Sequence, residues 1–163
     1  MRNSGDLCNE RQNEALLCEA SDIEGGRPMG SSRPLRRIVL VVEDDADQRA
    51  LASLLFEESE FDVVECASAE AALAVMQRQY QRVAMIFTDV RLAGAMDGVE
   101  LVRIVRERFP NVPAIVTSGA MGDREIPGNA VFIPKPWRAL DLLMAAEKLR
   151  IATDDPRWNG DIF

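Results

Sequence analysis

Short apolar runs alternate along this chain with stretches whose apolar residues recur at helical spacing. RIVLVVED (37–44) is a β-branched run with no polar face. Such a run predicts a central strand covered on both sides. DVVEC (62–66), VAMIFTD (83–89), PAIVTSG (113–119) and AVFIPKP (130–136) repeat the strand signal. In DADQRALASLLFEESE (45–60), Leu51, Leu54 and Leu55 share one helical face behind an Asp45 cap. SAEAALAVMQRQ (68–79) predicts a helix capped by Ser68. DGVELVRIVRERF (97–109) places Asp97 and Glu100 at capping-box spacing, with Leu101, Val105 and Phe109 on one face and Pro110 just after. PWRALDLLMAAEKLR (136–150) predicts a last helix with Pro136 near its first turn.

Strand and helix therefore alternate from about Leu35 to Arg150. This order predicts an α/β fold, a parallel sheet with helices on both faces. The exception follows the fourth strand, where GAMGDREIPGNAVFIP has room for one or two helical turns before Pro127-Gly128 ends them. Residues 1–34 are polar and close on EGGRPMGSSRP, which predicts a flexible N-terminal extension. Residues 151–163 read as a C-terminal tail whose Trp158, Ile162 and Phe163 have no assigned place.

Composition narrows the function classes. No apolar run nears the roughly 18 residues that cross a membrane, and the N-terminus carries no signal-peptide pattern. A cytoplasmic protein without membrane insertion is the expectation. A net charge of −8 argues against a nucleic-acid partner, which would call for a basic surface. The chain has no histidine, and its three cysteines, Cys8, Cys18 and Cys66, are scattered. Zinc sites and Ser-His or Cys-His nucleophile pairs are thereby disfavoured.

In a parallel sheet, ligands collect at the carboxyl ends of the strands. Those ends carry Glu43, Asp44 and Asp45, then Thr88 and Asp89, then Thr117, Ser118 and Gly119, and finally Lys135 and Pro136. Taken singly, each has a bland reading as a helix cap or a turn. Jointly they bring acids, a hydroxyl and an ammonium to one edge. Glu43, Asp44 and Asp89 offer the oxygen ligands of a hard cation such as Mg²⁺. A carboxylate in such a site can attack phosphorus, with Lys135 and Ser118 stabilising the phosphoryl oxygens.

With VLVVEDD, IFTDVRLAGAMDG, PAIVTSG and FIPKPW in this order, the chain resembles a receiver domain of two-component response regulators, the family of the chemotaxis response regulator. The resemblance spans about Arg36 to Arg150 and implies a flavodoxin-like five-stranded parallel sheet in the order 2-1-3-4-5. It implies Asp89 as phospho-acceptor, Asp44 as direct Mg²⁺ ligand and Glu43 as the acid that reaches the metal through water. The Arg91 backbone carbonyl would be a further ligand. Ser118 and Phe132 match the switch pair, with Gly119 the small residue beside Ser118. Thr117 is the weaker match for the switch hydroxyl. Lys135 matches the ion-pairing lysine, and Lys135–Pro136 a bond that is usually cis in the family.

Several positions depart from the pattern. Ala93 stands where a proline is usual, and the loop after Asp89 is one residue longer than its commonest form. Phe132 replaces the usual tyrosine, and the helix between strands 4 and 5 is shortened or irregular. Arg91 stands where a dehalogenase-type aspartate phosphatase would need a second Asp, and its side chain would either reach the phosphoryl group or simply face solvent.

The resemblance implies a phospho-acceptor with self-catalysed phosphorylation and dephosphorylation, rather than a conventional enzyme, and the short stretch after the last helix makes a stand-alone receiver the expectation. Its partners would be a sensor histidine kinase or phosphotransfer protein and an unknown downstream protein, reached by contact or through a phosphorelay. The alternative is an unphosphorylated pseudo-receiver adaptor.

Overall fold

A computed structural model describes residues 36–59, 61–120 and 125–157. The N-terminal extension and Trp158, Ile162 and Phe163 lie outside the described residues. The elements run β1 (Ile38–Val42), α1 (Ala46–Glu58), β2 (Asp62–Cys66), α2 (Ala69–Gln79), a 3-10 turn (Tyr80–Arg82), β3 (Val83–Asp89), α3 (Gly98–Arg108), β4 (Ala114–Ser118), β5 (Ala130–Pro134) and α4 (Ala139–Asp154). All strand pairs are parallel, and the five-stranded sheet has the order β2-β1-β3-β4-β5. This is the α/β, flavodoxin-like order implied by the resemblance.

The apolar runs became central strands because both faces of the sheet are covered. Every residue of β1, β3 and β4 is buried. Ile38, Leu40 and Val42 face a core closed by Ala72 and Met76 of α2 and Leu101 and Val105 of α3. Val39 and Val41 face the other way, against Ala52 and Phe56 of α1 and Leu142, Ala146 and Leu149 of α4. The period of two along a strand thus splits one apolar run between two cores. Phe87 joins the second core through edge-on contacts with Phe56 and Trp137, at ring separations of 5.8 and 5.9 Å.

The caps fall where the sequence places them. Asp45 accepts from the Gln48 amide at 2.9 Å, Ser68 from Ala71 at 3.2 Å and Asp97 from Glu100 at 2.9 Å. Each satisfies an otherwise orphan amide at a helix start.

Three expectations need correction. Leu51 and Leu54 face solvent, at 52% and 54% exposure, and Leu55 is only half-buried. The sheet is instead covered by Ala52, Ser53 and Phe56. Ala52 lets the helix approach closely, and the Phe56 ring fills more of the core than a leucine would. Pro136 lies outside the last helix, which starts at Ala139, because the intervening turn carries Trp137 into the second core. That helix also continues past Arg150 to Asp154, so residues 151–154 are not tail. There, Arg150 bonds Glu147 and Asp154 along one helix face, the spacing at which such pairs meet.

Between β4 and β5 there is no helix among the described residues, and residues 121–124 lie outside them. The described part of this connection turns at Gly128 and Asn129 directly into β5. The buried Asn129 fastens it by donating to the Val112 carbonyl at 3.1 Å.

Candidate functional site

The carboxyl ends of β1, β3 and β5 meet at one ammonium. Lys135 follows β5 and is placed by its backbone amide, which donates to the Ser118 carbonyl at 2.9 Å. The Lys135–Pro136 bond is cis. From there the Lys135 Nζ donates to Glu43 Oε2 at 3.0 Å, to Gln48 Oε1 at 2.7 Å, and to Asp89 Oδ2. Glu43 and Asp89 are both buried, at 2% and 9% exposure. Two carboxylates at that depth need a counter-charge, and Lys135 supplies it.

The second Asp89 oxygen, Oδ1, accepts from the Arg91 amide at 2.9 Å. The carboxylate is thus held from both sides, with the loop beyond it turned back. Asp44 is exposed, and its Oδ2 accepts from the Ala93 amide at 3.0 Å, tying the β1 end to the loop after β3. Gly94, at φ +132°, makes the bend that an L side chain resists. The loop then closes on Gly98, whose amide donates to the Val90 carbonyl at 2.9 Å.

The Glu43 and Asp89 carboxylates share the Lys135 ammonium, and Asp44 lies exposed at the end of the same strand as Glu43. Burial pushes the Glu43 carboxyl above its ordinary value, outweighing the pull of Lys135. Desolvation also acts upward on Asp44. Local hydrogen bonding, including the bond from the Ala93 amide, outweighs it and holds Asp44 below its ordinary value. Burial would lower the Lys135 pKa, but bonding to Asp89 and Glu43 raises it. The lysine therefore stays charged at neutral pH.

The predicted site residues are only partly gathered. Glu43, Asp89 and Lys135 are in direct contact, and Asp44 reaches the same loop. Among the described residues, no three acids form a closed metal cage. The buried Ser118 hydroxyl is engaged with the Ala120 backbone, at 3.1 and 3.2 Å. Thr117 is paired in register with Asp89, yet its buried hydroxyl has no hydrogen-bond partner among the described residues. Phe132 is half-buried against the core of α2 and α3, and the Arg91 residue is exposed. Gly119 is open to space on its side-chain side.

Two contributors were not foreseen, and both come from the first turn of α1. Gln48 accepts from Lys135. Arg49 donates to the Glu43 carbonyl at 2.7 Å and pairs with Glu65 at 3.2 Å, fastening the acidic turn to the end of β2. Their signal was the polar pair three and four residues after the Asp45 cap, a spacing that turns long side chains toward the strand ends.

Comparison with known proteins gives the same frame. The response regulator receiver domain matches residues 39–147. The hydrogenase transcriptional regulatory protein HoxA of Cupriavidus necator is 40% identical over 131 residues, 76% of this chain and 26% of that protein. The response regulator protein FleR of Pseudomonas aeruginosa is 38% identical over 112 residues, 64% of this chain and 23% of that one. The chain thus spans about a quarter of these relatives' length. A response regulator receiver protein from Sinorhizobium medicae superposes with a TM-score of 0.67 at 22% identity, covering 73% of this chain and 98% of its own. The receiver domain of NtrX from Brucella abortus gives 0.60 at 25% identity, covering 69% and 98%. Matched over most of its length, with the strand order and the strand-end residues in place, this chain belongs to the response regulator receiver family.

Proposed function

We propose that the chain accepts a phosphoryl group on Asp89 from a histidine kinase or phosphotransfer protein. It then acts by protein–protein contact or passes the group on in a relay. The observation that supports this most is the Asp89 carboxylate, set at the end of a fully buried strand and paired with Lys135 beside Glu43. Such burial is costly for a mere turn residue.

An Asp89 carboxylate oxygen attacks the phosphorus of a phosphoimidazole. The O–P bond forms as the N–P bond breaks, and the electron pair returns to the imidazole nitrogen, which is then protonated. Lys135 neutralises charge on the acceptor and on the transferred oxygens. Ser118 leaves Ala120 to bond the phosphoryl group, and Phe132 repacks in response.

The donor set suits Mg²⁺. Its atoms are all hard oxygens, and its carboxylates outnumber its one ammonium. Mg²⁺ also keeps several waters and needs few protein ligands. Asp44, Asp89 and the Arg91 carbonyl would hold the ion, with Glu43 reaching it through water. When bound, it would supply charge stabilisation for the phosphoryl oxygens.

The test is incubation with acetyl phosphate and Mg²⁺ followed by intact mass. The wild type gains one phosphoryl group and Asp89→Asn gains none. An unmodified wild type would favour the unphosphorylated adaptor.

A further inference from the structure

Building on the phospho-acceptor reading, we propose that Gln48 is a positioning residue for phosphoryl transfer, fixing the Lys135 ammonium beside Asp89. An ammonium has three N–H donors and no acceptor. In this structure all three are used: on Asp89 Oδ2, on Glu43 Oε2 at 3.0 Å and on Gln48 Oε1 at 2.7 Å. Because the ammonium cannot accept, the amide oxygen of Gln48 must face it, so the orientation of the amide is settled chemically.

Gln48 is well placed for this task. Its backbone is pinned by the Asp45 cap at 2.9 Å, so the side chain starts from a fixed point in the first turn of α1. Lysine, by contrast, carries its charge on a flexible four-carbon stem. Two carboxylates alone would leave the third N–H to water. Gln48 takes it instead, from the first turn of α1, where Gln48, Lys135, Leu51, Pro136 and Trp137 line an open groove of about 380 Å³.

Its neutrality matters as much as its reach. A carboxylate there would be a fourth negative group competing for the ammonium and repelling an anionic donor. The amide anchors Lys135 without claiming its charge, which stays available to Asp89 and the arriving phosphoryl oxygens. The side chain of Gln48 bonds Lys135, so its effect passes through Lys135.

A double-mutant cycle on the full chain tests this directly. Gln48→Met keeps length and helix propensity but removes the acceptor oxygen. Initial rates of phosphorylation by acetyl phosphate with Mg²⁺ are read by intact mass for wild type, Gln48→Met, Lys135→Met and the double variant. Gln48→Met is expected to slow the saturating rate about three- to tenfold, the scale of one ordinary, solvent-exposed hydrogen bond. The half-saturating donor concentration and the melting midpoint stay as in wild type. In the Lys135→Met background the same change has no further effect. A wild-type rate in Gln48→Met, or equal slowing in both backgrounds, overturns the proposal. A wild-type rate in Lys135→Met overturns it as well, whereas no phosphorylation of the wild type would instead overturn the phospho-acceptor reading beneath it.

Discussion

Gly98 opens α3 with its backbone against the Asp89 carbonyl: a methyl group added there would stand 1.9 Å from that oxygen and 2.8 Å from the Thr88 hydroxyl. The phospho-acceptor strand and the helix after its loop are thus locked together at a position that only glycine fills. Gly98→Ala is expected to push the two apart and destabilise the fold by about 1–3 kcal/mol or more. Urea unfolding would show it as a lowered midpoint with an unchanged slope. A midpoint equal to wild type would contradict the close packing.

The two faces of α1 make opposite stability claims. Phe56→Ala is expected to cost about 3–5 kcal/mol, since it empties a fully buried site against Phe87. Leu54→Ala, on the exposed face, is expected to stay within about 0.5 kcal/mol. Chemical denaturation of both variants checks the orientation of the helix. The reverse order would mean that the leucines, not the phenylalanine, cover the sheet.

That contrast marks how far the sequence was legible. The strands, the caps at Asp45, Ser68 and Asp97, and the strand-end cluster follow from local patterns that tertiary packing left intact, while the strand order followed from the family resemblance. The rotation of α1 did not. A helix with apolar residues at 51, 52, 54, 55 and 56 has two candidate faces, and the choice depends on ring packing with Phe87 from a distant strand. In the same way, Gln48 and Arg49 read as surface residues until the acid turn and β5 are brought alongside them. The end of α4 was missed because Asp154 and Asp155 look like a stop, whereas Arg150 pairs with Asp154 across the last turn.

Cys66 gives the pH dependence. Burial pushes its thiol from 9.0 up to about 11, with Arg49 pulling weakly the other way. Between those values the unfolded chain has released the proton and the folded chain has kept it. Stability from this group is therefore complete below pH 9.0 and falls as pH rises toward about 11. The loss approaches about 2–3 kcal/mol at the upper end. Cys66→Ala removes the titration, so the stability difference between wild type and variant should narrow or reverse across that range. A difference flat in pH would contradict the buried neutral thiol.

Mg²⁺ should stabilise the fold through the acidic turn. A ligand that binds only the folded state adds about 2.7 kcal/mol at a hundredfold excess over its dissociation constant. The melting midpoint of wild type is expected to rise with MgCl₂ well beyond its rise in NaCl of equal ionic strength, and Asp44→Asn should lose that increment. Equal responses to the two salts would show general screening instead of a site.

The central claim is that Asp89 carries the phosphoryl group, and one peptide isolates it. Trypsin cutting after Arg82 and Arg91 releases VAMIFTDVR, in which Asp89 is the only side-chain carboxylate. After treatment with acetyl phosphate and Mg²⁺, borohydride reduction converts a phosphoaspartate to homoserine. Mass spectrometry of that peptide is expected to show homoserine at position 89 in the phosphorylated protein and aspartate in the untreated one. Aspartate at position 89 in both samples, or the conversion appearing in a different peptide, would contradict the account.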